Sequence, residues 1–499
     1  MKQLTGVFLV GAALLTNIIL SGCEENGASF NHPNGGTTPG NAKWVFNHSG
    51  LNATGGSASA LNADSSGNIY FAFMTDTNAE NPGTSPFPLM DGALVKYNPS
   101  TNTQAWVKAI TGTGGSLVGV IVQGVVQTST GVYVSGYTDK DLGFDDALPV
   151  QGVIDAFLIK YDSDGNKLWS KHWGSALQST TAYGLAADGS GNIYVGGSAD
   201  WNVSGVGLNG SVDAYIRKFD PSGAVTWTAQ YGEADIADGA AGIGPDGISD
   251  IITQELATGI AVSSDGNSVY ISITDVNLQQ PASGVPAIMP LSTQASIRKI
   301  NGSAAPYAQL WRSTVEGTPA TPTFASSIVL DEANSSIYIA GDTAGQIGTS
   351  GAGTSTGIID AYVAKYTDGV GAPTSVFQRG AAGTICHNTY GLNISADGNT
   401  IAAITNATGY IGTTAGGAMN GLHDAVVFHL NSSLTPNWVN HFGVSGYMTY
   451  GLGAILDSSG NVSFTGYSSG NPFTLSGPST GTNDFFLAQY TSAGVLVTE

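Results

Sequence analysis

The chain has 499 residues, of which 70 are glycine and only 10% are charged. Because a single hydrophobic core rarely grows beyond about 300 residues, this length predicts several domains or an array of repeats. The 15 basic and 36 acidic residues give a net charge of −21, which argues against binding to nucleic acid or, through surface charge, to anionic lipid. We therefore expect no nucleic-acid partner.

The N-terminus is typical of a secretion signal. Residues 7–20 form an apolar stretch after Lys2, too short and wrongly flanked for an ordinary spanning helix. The stretch ends in Leu-Ser-Gly-Cys at Cys23, which resembles a bacterial lipobox. Residues 1–22 would then be removed and Cys23 acylated, making the membrane a partner through a lipid anchor. In the alternative, the signal is an ordinary one and Cys23 is incidental.

Residues 23–42 are rich in Gly, Asn, Pro and Thr and show no periodicity, which predicts a flexible tether. Glu24 and Glu25 after the cysteine favour sorting to the outer membrane, on a side that the sequence does not reveal. The only other cysteine is Cys386, so a lipidated Cys23 leaves no internal disulfide and stability must come from packing. We expect residues 43–499 to form the folded domain.

Two phrases recur seven times along this domain. The first, as in "SGNIYVGG" (190–197), predicts one strand per copy. The second, as in "DAFLIKYDSDGNKLW" (155–169), predicts a hairpin whose turn has the Asp, Ser and Gly chemistry of tight turns. The hairpins begin at Asp91, Asp155, Asp213, Gln294, Asp360, Asp424 and Asp484. Their second strands carry Trp106, Trp169, Trp227, Trp311, Phe377 and Trp438, which we interpret as one structural position.

A further strand precedes each "GNIYV" phrase, so each unit holds four antiparallel strands. Such a sheet is too small to bury both faces alone, and stacking on its neighbours buries them. The sequence therefore predicts an all-β, seven-bladed β-propeller. "KWVFNH" (43–48) reads as an outer strand without inner strands before it, and we expect it to clasp blade 7. The C-terminal "VLVTE" is the alternative for that position.

The combined motif, Asp-Ala-aromatic-apolar-x-Lys-Tyr-Asp-x-x-Gly-Asn-x-x-Trp followed by Ser-Gly-Asn-Ile-Tyr-Val, is similar to a bacterial seven-bladed β-propeller repeat family. The resemblance extends from Lys43 to Glu499 and departs at Gln294, Phe377, His429 and Gln489. It implies the fold and a cell-envelope location, but no single activity.

The tight turns inside each unit should lie on one end of the ring, here called the turn face, and the long, varied loops on the other, here called the loop face. Loops on a rigid scaffold commonly carry function, so the loop face is the candidate binding face. Tyr183, Tyr390 and Tyr450 each precede an inner-strand Gly-Leu and could form an aromatic rim at a channel mouth; packing between inner strands is the alternative.

Two acidic segments are further candidates. Asp139, Asp141, Asp145 and Asp146 suggest a calcium loop, although Gly143 stands where a third alternating Asp would fall and a solvated loop is the alternative. Apart from calcium, no cofactor is expected.

The other segment is an insertion. From Trp227 to Val269 the chain runs 42 residues against 24 to 26 elsewhere, so about 17 residues, including Asp235 and Asp238, are inserted within 233–256. Because lengthening a loop costs little closure entropy, drift could have retained the insertion without a function. In the alternative, it overhangs the loop face and contacts the partner, with a short helix over 248–256.

Three functions remain open at this stage. The first is a lipid-anchored binding or adhesion module with a protein or glycan partner, which needs no catalytic residues. The second is an enzyme acting on polysaccharide or another envelope polymer, which would need two or more carboxylates converging at the channel mouth. The third is a structural component of an envelope assembly, for which a hydrophobic side patch would be the sign.

Lipidation predicts where the protein fractionates. We expect the wild-type protein in the membrane fraction and in the detergent phase of a phase separation. The Cys23→Ser variant should be soluble or uncleaved, because it lacks the acylated thiol. Wild-type protein found wholly in the soluble periplasm would contradict the lipobox interpretation.

Overall fold

The fold is a ring of seven antiparallel sheets, the predicted β-propeller. The computed structural model describes residues 61–75, 91–115, 118–145, 148–205, 207–233, 251–279, 289–315, 317–318, 321–347, 357–369, 371–413, 417–469 and 484–497. All regular elements within these ranges are strands. Within each blade, neighbours along the chain are neighbours in the sheet, so every blade is a simple meander from the channel outward.

The first four blades run from residue 61 to 315. Blade 1 holds β1 (Leu61–Ala63), β2 (Ile69–Thr75), β3 (Asp91–Asn98) and β4 (Thr103–Ile110). Blade 2 holds β5 (Val120–Thr128), β6 (Gly131–Thr138), β7 (Asp155–Tyr161) and β8 (Lys167–Trp173). Blade 3 holds β9 (Thr180–Ala187), β10 (Ile193–Ala199), β11 (Asp213–Phe219) and β12 (Val225–Tyr231). Blade 4 holds β13 (Ile251–Val262), β14 (Ser268–Gln279), β15 (Met289–Asn301) and β16 (Gln309–Val315).

The last three blades complete the ring. Blade 5 holds β18 (Thr323–Asp331), β19 (Ser336–Thr343), β21 (Asp360–Thr367) and β22 (Ser375–Arg379), with a small side ribbon of β17 (Gly317–Thr318) and β20 (Gln346–Ile347). Blade 6 holds β23 (Cys386–Ile394), β24 (Thr400–Ala407), β25 (Asp424–Asn431) and β26 (Pro436–Phe442). Blade 7 holds β27 (Thr449–Leu456), β28 (Val462–Ser468) and β29 (Asp484–Tyr490).

The core lies between blades. Each main apolar cluster joins strands of adjacent sheets, as expected when a small sheet buries its faces on its neighbours. The cluster that closes the ring stacks Phe485 of blade 7 on Phe71 and Phe73 of blade 1, with ring centroids 5.3 and 4.6 Å apart. The ring is thus closed by apolar contact between its first and last blades.

A row of three side chains explains the repeated motif. In blade 2, Tyr133, Lys160 and Trp169 lie opposite one another on the second, third and fourth strands. The Lys160 ammonium is 5.1 Å from the tyrosine ring centroid, and the tyrosine meets the tryptophan edge to face. The lysine and the indole N–H both donate to the carbonyl of Pro221, in the turn of the next blade. Equivalent rows stand in blades 1, 3 and 4: Tyr70–Lys96–Trp106, Tyr194–Lys218–Trp227 and Tyr270–Lys299–Trp311.

The aspartate that begins the hairpin organises the loop face. The Asp155 carboxylate accepts hydrogen bonds from the backbone N–H groups of Gln151 and Gly152, and from His172 Nδ1 on the outer strand. Gly174, just after that strand, packs against the same carboxylate, where a Cβ would collide with it. Asp213, Asp360 and Asp424 repeat this arrangement. The carboxylate therefore ties the incoming loop to the outer edge of each of these blades.

One assignment of the outer-strand aromatic was wrong. In blade 5 the residue opposite Lys365 is Ser375, whereas Phe377 pairs with Val363 two positions further along. Phe377 is buried against Phe428 of blade 6. An aromatic on this strand therefore fills the interblade core and is no substitute for the tryptophan.

The insertion before blade 4 is built differently from the expectation. Residues 251–256 belong to strand β13, so the predicted helix over 248–256 is wrong for this part, and 234–250 lie outside the described residues. Register pairs 251–255 with 275–279, and 275–279 in turn with 289–294. Three strands of this blade are thus extended together toward the loop face.

The fourth strand of blade 7 is only begun within the described residues. Leu496 forms a bridge with Tyr490, and Val497 N–H donates to the carbonyl of Gln489. The C-terminal segment therefore lies where the outer strand starts. The proposed clasp, 43–48, falls outside the described residues and stays a prediction.

Truncation tests that clasp. We expect removal of residues 23–50 to lower the melting temperature by several degrees, because blade 7 would lose an outer strand and its tryptophan. Removal of residues 23–42 alone, which spares Lys43 and Trp44, serves as the control and should leave the melt unchanged. An unchanged melt for the longer deletion would show that the C-terminal segment suffices.

Candidate functional site at the loop-face mouth of the channel

Parallel bridges draw neighbouring blades together at the loop face. The residue before the third strand of one blade pairs with a residue at the entry to the inner strand of the next, as Ile154 does with Ser179 and His423 with Met448. Val212–Gln254 and Ile359–Ile385 repeat the contact. Side chains at these positions therefore gather around the mouth of the channel.

Five tyrosines meet in this mouth, from blades 2, 3, 6 and 7. Tyr183, Tyr390 and Tyr450 stand on the inner strands, as the sequence indicated, and Tyr137 and Tyr467 join them from second strands. Tyr137 and Tyr183 meet edge to face with ring centroids 5.8 Å apart. Tyr450 stacks on Tyr467 with ring centroids 5.0 Å apart. Each of the five keeps part of its surface exposed.

The tyrosines of blades 2 and 3 interact electrostatically with Tyr390 of blade 6. Burial raises the pKa of Tyr390, and Asp342 and Tyr137 raise it further. Burial likewise raises the pKa of Tyr183, with contributions from Tyr137 and Tyr390. Since blade 6 is not adjacent to blades 2 and 3, the tyrosines interact across the channel, and their hydroxyls stay protonated hydrogen-bond donors at neutral pH.

Two histidines extend the cluster between blades 6 and 7. His387, at the start of β23, and His423, just before β25, have ring centroids 5.9 Å apart. Tyr450 lies 6.0 Å from the first and 5.3 Å from the second. Both histidines are buried, at 5% and 7% exposure. Within the described part of the chain, neither ring nitrogen of His387 has a hydrogen-bond partner, nor has Nδ1 of His423.

Sequence reasoning missed this pair because 36 residues separate the two histidines and neither stands in a ligand motif. His387 and its neighbour Cys386 are both residues of strand β23. Cys386 is fully buried, and burial raises the pKa of its thiol to about 12.

The carboxylates suspected of calcium binding are used by the protein itself. Asp139 accepts from the backbone of Gly119, Asp141 from Gly143 and Asp145 from Ser170. Asp146 lies outside the described residues. Across the described ranges, no group of three or more metal-ligating His, Cys, Asp or Glu side chains occurs. Calcium here stays a prediction that these contacts do not support.

The partner-contact residues Asp235 and Asp238 lie outside the described residues. Below the insertion, Arg298 and Arg312 both bind Asp275, at 3.0 and 2.9 Å, and Arg312 also pairs with Glu233. Burial raises the pKa of Asp275 against the opposing effect of Arg298. This network ties blade 3 to blade 4 at the base of the extension.

Comparison with known proteins places a family motif at the junction of blades 2 and 3. Residues 168–202, from an outer strand to the next blade's second strand, match the beta-propeller repeat SBBP. The chain carries an SBBP-type beta-propeller repeat. Curated proteins give no match. No helix among the described residues is long and apolar enough to cross a membrane.

Several solved structures resemble this chain at low sequence identity. An ulvan lyase of polysaccharide lyase family PL25 has 11% identity and a TM-score of 0.46, covering 93% of this chain and 96% of that one. An α-L-arabinofuranosidase from Fusarium graminearum has 10% identity and a TM-score of 0.41, and the match covers 74% of this chain and 93% of that one. The propeller domain of the Trilobed protease from Pyrococcus furiosus has 9% identity and a TM-score of 0.38, and the match covers 90% of this chain and 93% of that one. Likenesses this weak carry no argument about ligand or activity.

The buried histidine predicts an acid-sensitive stability. Burial, with His423 nearby, lowers the pKa of His387 from 6.5 to about 4. The unfolded chain therefore binds a proton that the folded chain refuses, so stability is full above pH 6.5 and falls as the pH drops toward 4. His387→Leu should remove up to roughly 3 kcal/mol of this pH dependence. Urea unfolding of both proteins at pH 7.0 and 4.5 measures it; equal pH dependences would contradict the assignment.

Proposed function

We propose that this protein is a binding module displayed from the bacterial cell envelope, whose loop-face mouth takes a glycan. The lipid anchor at Cys23 and the outer membrane are part of the proposal. The observation that carries it is the convergence of five partly exposed tyrosines from opposite sides of the channel. Tyrosine offers an apolar ring face together with a polar hydroxyl, which suits a sugar, with its apolar C–H face and hydroxyl rim.

The exposed apolar side chains also favour this end of the ring. Six of the ten large hydrophobic residues exposed among those described stand in loop-face segments: Leu148, Leu177, Leu208, Ile358, Leu422 and Tyr447. Leu177, 72% exposed, adopts a φ of 65°, a conformation that a bulky residue rarely takes. Apolar side chains held out on loops are typical of contact surfaces, and the rest of the ring presents tight, uniform turns.

The enzyme alternative has less support from the layer of second-strand residues at the channel mouth. Hydrolysis of a glycosidic bond generally uses two carboxyl groups flanking it. At the second-strand position that holds Tyr137 and Tyr467, the other blades carry Met74, Ser198, Thr274, Asp342 and Asn406. Asp342 is the single carboxylate there, and Thr389 donates to it. The described part of this layer therefore lacks a carboxylate pair.

Substitution of the tyrosines tests the binding site. We expect the protein to be retained on arrayed envelope glycans, and Tyr390→Ala to lower that affinity at least tenfold, equivalent to about 1.4 kcal/mol. The matched control is Tyr307→Ala, since Tyr307 stacks on Trp227 at the turn face. Equal losses in both variants would contradict the mouth as the site. Release of shortened glycan during the assay would instead establish an enzyme.

A further inference from the structure

No other described blade carries an imidazole at these two positions. The position of His387 varies between blades (Ile121, Thr181, Leu256, Phe324 and Tyr450), and that of His423 is aliphatic in blades 2, 3 and 5. His387 pairs with Asn406 where, in blade 4, Leu256 pairs with Thr274. His423 makes the interblade bridge that Ile154 and Val212 make in blades 2 and 3. In those blades the three aliphatic residues pack together as one apolar cluster over the mouth. The ring therefore does not need imidazoles at these points.

Buried imidazoles without partners oppose folding. A polar group that loses water and gains no hydrogen bond is destabilising, whereas an aliphatic group in the same space is not. Both nitrogens of His387 and Nδ1 of His423 are in this condition among the described residues. A ligand that supplies the missing hydrogen bonds would account for both histidines.

We propose that His387 and His423, with Tyr450, form the subsite that binds the hydroxyl groups of an uncharged sugar residue; this rests on the proposed glycan-binding function. A neutral imidazole offers one donor and one acceptor, and a sugar hydroxyl can serve both. Two imidazoles at 5.9 Å can engage neighbouring hydroxyls while the Tyr450 ring packs against the sugar's C–H face.

The charges around the subsite favour an uncharged ligand. The titratable groups that face it are Tyr390, Tyr450 and Tyr467, with Asp424 beside His423 and Asp342 beside Tyr390. Two described basic residues near the loop-face ends of their blades are engaged elsewhere. Lys140 binds Asp91, and Arg379 donates to the carbonyls of Ile411 and Gly412. Among the described residues named here, a uronate or sulfated sugar would meet carboxylates and no unengaged cation.

The experiment uses the mature chain and two series of oligosaccharides, one neutral (glucose-, galactose-, mannose- and N-acetylglucosamine-based) and one built of uronates. Affinity is measured by calorimetry and stability by thermal unfolding, for the wild type, His387→Leu and His423→Ile. These substitutions install what Leu256 and Ile154 provide in the other blades. We expect a neutral oligosaccharide to bind, both variants to lose at least tenfold in its affinity, and their melting temperatures to hold or rise.

Other outcomes separate the inference from the proposed function. If the histidine variants bind as the wild type does while Tyr390→Ala loses affinity, the glycan site stands and the role of the histidines is overturned. Lower melting temperatures with intact affinity would show the imidazoles to be structural. Tighter binding of uronates than of neutral sugars would overturn the ligand class. Binding of neither series would overturn the glycan-binding function itself and this inference with it.

Discussion

The Tyr–Lys–Trp row, complete in blades 1 to 4, is the contact on which the ring depends. The lysine lies over the tyrosine ring, an attraction worth about 0.5–1 kcal/mol at an exposed site and more when desolvated. Its ammonium then donates, with the indole N–H, to a turn carbonyl of the next blade, as Lys96 and Trp106 do to Ser163. One row thus joins three strands of one sheet to the next sheet. Where the row is altered, another contact serves: Trp227 stacks on Tyr307, and Lys299 pairs with Asp368.

The Tyr–Lys–Trp row makes the turn face of the ring structurally necessary. Each row ends in the turn between third and fourth strands, so that turn must keep its length and shape. At the other face, aspartates such as Asp155 and Asp424 hold the roots of the loops by accepting their backbone N–H groups. Between those roots the loops are free to differ. The division of labour between the two faces thus follows from where the interblade hydrogen bonds are made.

The fold could be predicted from sequence because the row and the aspartate recur at fixed spacing; six of the seven third strands begin at the predicted aspartate. The errors arose where the repeat is broken. Phe377 resembles the outer-strand tryptophan of the other blades because both are aromatic. The register, however, places Ser375 opposite Lys365, where the tryptophan stands in those blades. The extension of blade 4 is a pairing of three distant segments, which no local pattern reveals. Of the mouth, the inner-strand tyrosines were predictable from their shared Gly-Leu context, and the histidines were not.

Because the blades repeat, His387 and His423 can be compared with the residues at equivalent positions in other blades. In a ring of equivalent blades, each position has internal controls: blades 2 and 4 carry Ile121 and Leu256 where His387 stands, and blade 2 carries Ile154 where His423 stands. Burying an imidazole without partners costs free energy that these aliphatic residues avoid. The two substitutions are moreover adjacent in space and face Tyr450, although they lie far apart in sequence. Two buried imidazoles with unpaired nitrogens that converge on one aromatic ring are the observation on which the proposed ligand subsite rests.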